Sequence, residues 1–600
     1  MNIQYIDGQR LKRALIAGGR RLLQYTDQLN KINVFPVADS DTGTNMAGTI
    51  AAVIHSLSTS NDRSVAVTSR LAADAALMGA RGNSGAILAQ FFQGLAEEFS
   101  DAVTVSSQRF ARGVKNAVSY AYQALSAPKE GTILTVLKSW GHSFFEQSNK
   151  THDFLLAFNE SFRAAKEALE HTTEKLPSLK RAGVVDAGAL GFVHIIEGIQ
   201  LFMTTGRIRE TDEIPELGDV EEPAVSAADG ELSERYCTEC MVVGSQIAVT
   251  ELRKELESLG NSLIVAGSSE KVRIHIHTND PEYVFERAGT YGEVLSPKAD
   301  DMNKQFETAH TAHGEVALVV DSACDIPQEL AEKPYIAMVP LSIGFGTQRY
   351  VDKIGLSPHR YYELLREDGR PHPTTSQPTA YEFRKQYSFL GKHYKRLITL
   401  TLSGALSGTY DAARTGIPAE RAENGTVDVI DSKNVSVAIG LVVRRLSEAI
   451  EAGADADEIA MTARKLVSRL RLLVAVESVD WMVKGGRVGK GKGLLAKLLG
   501  LLPVMTIDED GKAVSDGLVR SLDGGIRRIL RTLEKEVDPV KPTDFAVTHV
   551  DNEAGALELK HEIERRFTPR GDVFVLDAAP VLASHTGFGT TAVAYLDAEE

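Results

Sequence analysis

Two aspartates two residues apart, Asp39 and Asp41, stand in NVFPVADSDTGTNM, a glycine-containing loop that runs into an apolar helix beginning near Met46. Mg²⁺ takes hard oxygen ligands, usually one or two carboxylates together with substrate phosphates. A D-x-D loop at a helix start can therefore hold the metal while free amides face phosphate oxygens. The same spacing also describes an aspartate-capped helix start. The chain has no G-x-x-x-x-G-K-[ST], so a nucleotide bound here needs a cradle other than the Walker loop. Gly82, Asn83, Ser84 and Gly85 of GARGNSG offer small residues and backbone amides, and Asp186 and Gly188 of VVDAGA offer a ribose contact or a closing turn. Each fragment taken singly is also a helix cap or a tight turn.

A second constellation joins Cys237 and Cys240, a C-x-x-C pair, with His275 and His277 of KVRIHIHTN. Zn²⁺ favours four tetrahedral nitrogen or sulfur ligands, and two histidines two apart on a strand point to the same face. The alternative is a pair of surface histidines beside inert buried thiols. The run KGGRVGKGK from Lys484 to Lys492 has the composition of a phosphate or nucleic-acid contact. In a chain of formal net charge −15 it reads better as a solvated loop or one that steers an anion.

These residues need elements to hold them. At 600 residues the chain exceeds one hydrophobic core, and roughly 150 residues per domain gives about four units. With 43% apolar and 24% charged residues it has an ordinary globular composition. Three cysteines argue against a disulfide scaffold. MNIQYIDGQRLKRALIAGG lacks a signal-type apolar core, and no run of eighteen apolar residues reads as a membrane span, so a cytoplasmic location is expected.

Up to residue 205 the apolar spacing is helical, with the glycine-rich breaks at VADSDTGTN, GARGNSG, KEGT and VVDAGALG placed where helix starts belong. This predicts an all-α domain with its chemistry on the loops. Residues 206–232 are acidic and aperiodic, a linker. Residues 233–305 alternate strand and helix signals, a small α/β unit. From residue 314 to the end, Val/Ile-rich strands alternate with amphipathic segments, predicting an α/β domain, or a pair of subdomains, with parallel strands.

In that order, NVFPVADSDTGTNM, LMGARGNSGAILAQFFQG, KEGTIL and RAGVVDAGALGF resemble the kinase domain of dihydroxyacetone kinases (the DhaL or DAK2 type) and, more closely, the kinase subunit of bacterial fatty acid kinase. YCTE and HIHTNDP extend that resemblance to about residue 305. It implies a helical barrel in which Asp39 and Asp41 bind two Mg²⁺ bridging the ATP phosphates, with Asn33 completing the site. Thr42, Gly82, Asn83, Ser84, Gly85, Thr132, Asp186 and Gly188 would contact the nucleotide. Ser40 stands where the family usually has glycine, and Ala38 where proline is common. The resemblance also implies a middle-domain metal, such as Zn²⁺, on Cys237, His275 and His277, with Cys240 unassigned.

ALVVDSACDIP, TTSQPT, LSGALSGTYDAAR, VIDSKNVSVAIG, VKGGRVG and SHTGFG make residues 314–596 similar to the DegV family of fatty-acid-binding proteins. That resemblance implies two α/β lobes burying an acyl tail. Thr375, Ser376, Ser407, Gly408, Arg487 and His585 would meet the carboxylate, and Arg487 or His585 would orient it as nucleophile.

The two resemblances together imply a fatty acid kinase fused to its acyl carrier, making acyl phosphate for an acyltransferase of phospholipid synthesis. They imply a homodimer and at most peripheral membrane contact, and the net charge of −15 argues against a nucleic-acid partner. Two other readings stand beside this one: a non-catalytic lipid-binding or sensing protein, and a dihydroxyacetone-type kinase of a small polyol.

Overall fold

The computed structural model describes residues 3–35, 42–125, 128–206, 233–311, 314–478, 480–487 and 501–596. Asp39 and Asp41, nearly all of the acidic 206–232 segment, and the basic run beyond Arg487 lie outside the described residues. The chain divides into two compact units, one of Met1–Asp280 with Val284–Phe306, the other of Pro281–Tyr283 with Glu307–Glu600.

The first unit begins helical, as its spacing predicts. Its described helices include Gly8–Leu23, Thr42–Thr59, Gly82–Glu98, Ile133–Ser148 and Ala187–Thr205, and a strand pair there joins Tyr5–Asp7 to Thr104–Ser106. Small residues let the first and last of these helices approach closely: a Cβ on Gly18 would lie 2.6 Å from the Ile195 carbonyl, and one on Gly198 2.6 Å from that of Ala17. Between the helices lies an aromatic core in which Trp140 packs edge-on against Phe192 at 5.5 Å and Phe158 at 6.0 Å. Ala187–Thr205 is, among the described residues, the one helix long and apolar enough to cross a bilayer. Ala189, Phe192, Val193, Ile195 and Ile196 are buried in this core.

The remainder of the first unit is a four-stranded sheet in the order Gly260–Gly267, Lys271–Thr278, Tyr236–Val243, Glu293–Asp301. All its pairings are antiparallel. Met241, Ile264 and Ala266 from this sheet join the helical core, and Arg273 Nη1 donates to the Met78 carbonyl at 3.3 Å.

The second unit has two lobes. Its four-stranded sheet runs Val427–Asp431, Tyr394–Thr401, Gly314–Asp321, Ile336–Val339, and every pairing is parallel. Parallel pairing was the expectation for the whole region, but the six-stranded sheet departs from it. There Ala513–Val519, Leu502–Ile507, Leu470–Ala475, Thr591–Leu596 and Asp544–His549 pair antiparallel in sequence, and only Asp544–His549 with Phe574–Asp577 is parallel. Connection length accounts for one of these pairs: Leu502–Ile507 and Ala513–Val519 are joined by five residues, too few for the crossover that a parallel neighbour requires. A three-stranded ribbon places Thr374–Ser376 against Ser342–Phe345, which also pairs with Gln348–Val351.

Candidate functional site

In the helical region, helix starts gather the glycine-rich breaks. Thr42 opens its helix and is buried, and its hydroxyl donates to Asn33 Oδ1 at 2.9 Å. Gly82 opens the helix Gly82–Glu98 with φ +54°, where a Cβ would collide with the Asn45 side chain of the Thr42 helix. A Cβ on Gly85 would lie 2.6 Å from Thr49 Oγ1. A Cβ on Gly188 would meet Asp186 Oδ2 at 3.3 Å, Ser84 Oγ at 3.4 Å and Ile133 Cβ at 3.5 Å. Ser84, Ile133 and Gly188, each in the first turn of its own helix, thus share one small space, with half-buried Asn83 at its side. Amides at helix starts carry the positive end of the helix dipole, and here the Asp186 carboxylate lies among them.

Two of the predicted contacts serve the scaffold of this space. Thr132 caps the Ile133 helix, its Oγ1 accepting from Leu134 N at 3.4 Å and donating to the Lys129 carbonyl at 2.7 Å. Asp186 caps the Ala187 helix, and its Oδ2 accepts from Ala189 N at 2.8 Å and from Ile133 N at 3.1 Å, tying two helix starts together. Burial pushes its carboxyl up to about 6 against the opposing pull of those two amides. Sequence reasoning missed Asn30, whose Oδ1 accepts from Thr44 N at 3.0 Å and whose Nδ2 donates to Thr44 Oγ1 at 2.9 Å. With Asn33 it forms an N-x-x-N signal one helical turn long.

In the antiparallel sheet, Cys237 pairs directly with His277, and Glu239 with His275. Cys237 Sγ and a nitrogen of each of His275 and His277 all lie within 4.8 Å of one another. Cys240, three residues along the strand, falls on the opposite face and is buried, where desolvation pushes its thiol up to about 12. A Cys₂His₂ set is therefore excluded by strand parity. Sequence reasoning also missed Glu239, whose Oε1 lies 2.9 Å from His275 Nδ1 while Oε2 accepts from Arg273 Nη2 at 2.8 Å. Burial disfavours its charge, but Arg273, His275 and Lys298 outweigh that and hold it well below the usual carboxylate range. A carboxylate on an imidazole nitrogen fixes the ring, and Glu239 does so at His275 Nδ1, the nitrogen that Cys237 Sγ also approaches at 3.9 Å. One thiolate and two imidazoles suit Zn²⁺ with a fourth position open.

In the second unit, Thr375 Oγ1 lies 2.9 Å from His585 Nε2, joining TTSQP to SHTG across 210 residues of chain. The ribbon positions Thr375 opposite Ile343, and the helix Pro580–Thr586 carries His585. Burial, then Arg487, then His372 push the imidazole down to about 4, so at neutral pH it is uncharged. Its Nδ1 is buried with no hydrogen-bond partner among the described residues, and a glycine at 485 is what lets the chain pass beside it. Arg487 is exposed, its Nη1 donating to the Gly485 carbonyl. Ser376 is exposed, Ser407 Oγ lies 2.8 Å from Thr409 Oγ1, and Gly408 leaves the space that the Gln377 side chain fills. Thr375, Gln377, Gly408 and His585 are thus brought to one region, with Gln377 an addition the sequence did not signal.

Three family models match along the chain: the DAK2 domain over residues 36–201, the FakA-like middle domain of fatty acid kinase over 233–309, and the DegV family over 315–598. The chain joins a DAK2 domain, a FakA-like middle domain and a DegV domain. Among curated proteins, Protein YloV of Bacillus subtilis is 29% identical over 367 residues, covering 60% of this chain and 65% of its own length. An uncharacterised protein of Staphylococcus saprophyticus is 29% identical over 365 residues, 59% of this chain and 64% of its own. The matches thus span less than two thirds of these relatives. Among solved structures, a DegV family protein of Thermus thermophilus described by its fatty acid binding is 26% identical, covering 47% of this chain and 99% of its own, with TM-score 0.44. A DegV lipid-binding protein of Thermotoga maritima is 28% identical over 47% of this chain and 98% of its own, with TM-score 0.42.

Proposed function

We propose that this chain is an ATP- and Mg²⁺-dependent fatty acid kinase whose DAK2 and middle domains phosphorylate the carboxylate of a fatty acid held by its own DegV domain. The observation that carries this reading is the succession of the three family matches in one polypeptide. The middle-domain family is that of fatty acid kinase, which gives the ligand class. Gly82, Gly85 and Gly188 let these helix starts pack closely, since a Cβ would meet the Asn45 side chain, Thr49 Oγ1 and Asp186 Oδ2 respectively.

Bound ATP would supply the phosphoryl group, and Asp39, Asp41 and Asn33 are the residues that would hold Mg²⁺, which would neutralise its charge. An ionised carboxylate is already a nucleophile, so the chain needs no general base. Its oxygen forms the new P–O bond as the bond to the ADP oxygen breaks. Ser84, Asn83 and the amides after Gly82 fix the nucleotide, while Asp186 and Thr132 hold the helix starts in place. In the DegV domain the neutral His585 donates from Nε2 to Thr375 Oγ1, which turns the threonine hydroxyl proton toward the carboxylate. Arg487 adds positive charge and Ser376 and Ser407 further hydroxyls. The tail gains about 0.8 kcal/mol per buried CH₂. Cys237, His275 and His277 would hold Zn²⁺ in the middle domain. Acyl phosphate then passes to an acyltransferase of phospholipid synthesis.

The test is acyl phosphate trapped as its hydroxamate, with full-length protein, Mg·ATP and a panel of fatty acids. Product from the native chain and none from Asp41→Ala supports the reading. Acyl binding without product in any condition would replace it with a lipid-sensing role, and ADP released from ATP with dihydroxyacetone but with no fatty acid would replace it with a polyol kinase.

A further inference from the structure

The segment Asp321-Ser322-Ala323-Cys324-Asp325 is wholly buried, yet contains no group that the proposed chemistry uses. Asp321 ends the central parallel strand, and its Oδ2 accepts from Leu402 N at 2.7 Å while Oδ1 accepts from Ala323 N at 3.0 Å. Leu402 begins the turn that leads to Ser407 and Gly408. Asp325 Oδ1 accepts from Ala579 N at 3.1 Å and meets Lys353 Nζ at 2.8 Å, and its Oδ2 accepts from Ser436 Oγ at 2.5 Å. Asp352 Oδ1 accepts from Val581 N at 3.1 Å, and its Oδ2 from Ser322 Oγ at 2.6 Å. Ala579 and Val581 flank the start of the short helix that carries His585. From the side, Tyr361 donates its hydroxyl to Ser584 at 2.9 Å, next to His585.

We propose that Asp321, Asp325 and Asp352 form a positioning hub, in which Asp321 sets the turn bearing Ser407 and Asp325 and Asp352 clamp the start of the helix bearing His585. The hub rests on the reading that these residues meet an acyl carboxylate. Three carboxylates inside one core are a poor way to gain stability, because desolvation offsets most of what their partners return. Burial above all pushes Asp321 and Asp352 up to about 7. Their partners explain their placement better: backbone amides, from two different lobes, each a few residues ahead of a carboxylate-facing side chain. A seven-residue helix has too few internal hydrogen bonds to hold its own register, so an external clamp on its first amides decides where His585 points.

Two measurements on the full-length chain test this. Hydrogen exchange of the peptide covering residues 578–587 is compared in the native chain, Asp325→Asn, Asp352→Asn and the milder Ser322→Ala, which removes one donor and leaves the carboxylate. Exchange in that peptide rising by about tenfold, with peptides of the first unit unchanged, is the expected result. Unchanged exchange in all three variants overturns the clamp. Affinity for cis-parinaric acid is then measured in Asp352→Asn, His585→Ala and the double variant. Loss of affinity in Asp352→Asn that vanishes in the His585→Ala background shows that Asp352 acts through His585, whereas equal loss in both backgrounds overturns the positioning role. A native chain that binds no fatty acid removes the acyl reading, while the exchange measurement still decides the clamp.

Discussion

At the scale of single residues, the pair Thr375 and His585 carries the most specific geometry in the DegV domain, and its protonation decides what it can do. With the imidazole pushed down to about 4, chiefly by burial, the pair is uncharged across the neutral range. Acyl affinity is therefore expected to stay flat between pH 6 and 8 in a fluorescent fatty-acid titration, in contrast to the fall with rising pH that an imidazolium contact would give. The linked stability has a definite sign. An unfolded histidine titrates near 6.5 and the folded one near 4, so its contribution is full above 6.5 and is lost as pH falls through 4. His585→Gln should flatten that acid limb of the melting curve. Thr375→Ala removes a hydroxyl aimed at a charged group, a loss of about 1.5–3 kcal/mol or roughly ten- to a hundredfold in affinity, and Thr375→Ser should recover most of it. The residue types at 375 and 585 were legible in TTSQP and SHTG, but their 2.9 Å contact and the neutral imidazole were not. Both depend on what buries them, and a histidine's neighbours 210 positions away leave no trace in local spacing.

At the scale of elements, legibility followed periodicity. The helical spacing of the first 205 residues and the glycine breaks at helix starts carried over directly, because a helix start needs a cap and a close crossing needs glycine whatever surrounds them. The sheets carried over less well, since strand direction depends on connections and partners that a strand's own residues do not encode. Strand parity likewise settled the thiols: Cys237 and Cys240 look equivalent as C-x-x-C, but an odd offset sends them to opposite faces. Cys240→Ala should leave the zinc content of purified protein unchanged and lower its melting temperature through a core cavity, whereas Cys237→Ala should abolish the metal, with the metal content read by elemental analysis. Glycine gives a paired test. Gly82 and Gly183 both have positive φ, at +54° and +67°, but a Cβ at 82 collides with Asn45 while one at 183 meets nothing within 4 Å. Gly183→Ala should then lose only the backbone term of about 1–2 kcal/mol, and Gly82→Ala that term plus a displaced helix start, seen as weaker ATP binding in calorimetry.

At the scale of the whole molecule, the consequential fact is that one chain carries all three family matches. In the proposed reaction a separate carrier would have to find the kinase by diffusion, so the rate would fall with dilution as the encounter becomes rare. Joining them covalently replaces the free carrier concentration by an effective one, in the millimolar range for a flexible connection of suitable reach. The acidic composition of residues 206–232 and the overall charge of −15 work against nonspecific association with other anionic surfaces, which leaves the tether as the means of bringing carrier and kinase together. The kinetic signature is direct. With saturating Mg·ATP and excess fatty acid, acyl phosphate formed per chain should be constant as the protein is diluted from about 1 μM to about 1 nM, far below that effective concentration. Specific activity that falls in proportion to dilution would mean transfer between separate chains, and adding an Asp41→Ala chain, with its DegV domain intact, would then raise the rate of the native one. A constant specific activity that the added Asp41→Ala chain leaves untouched means that each DegV domain is served by a kinase it cannot diffuse away from.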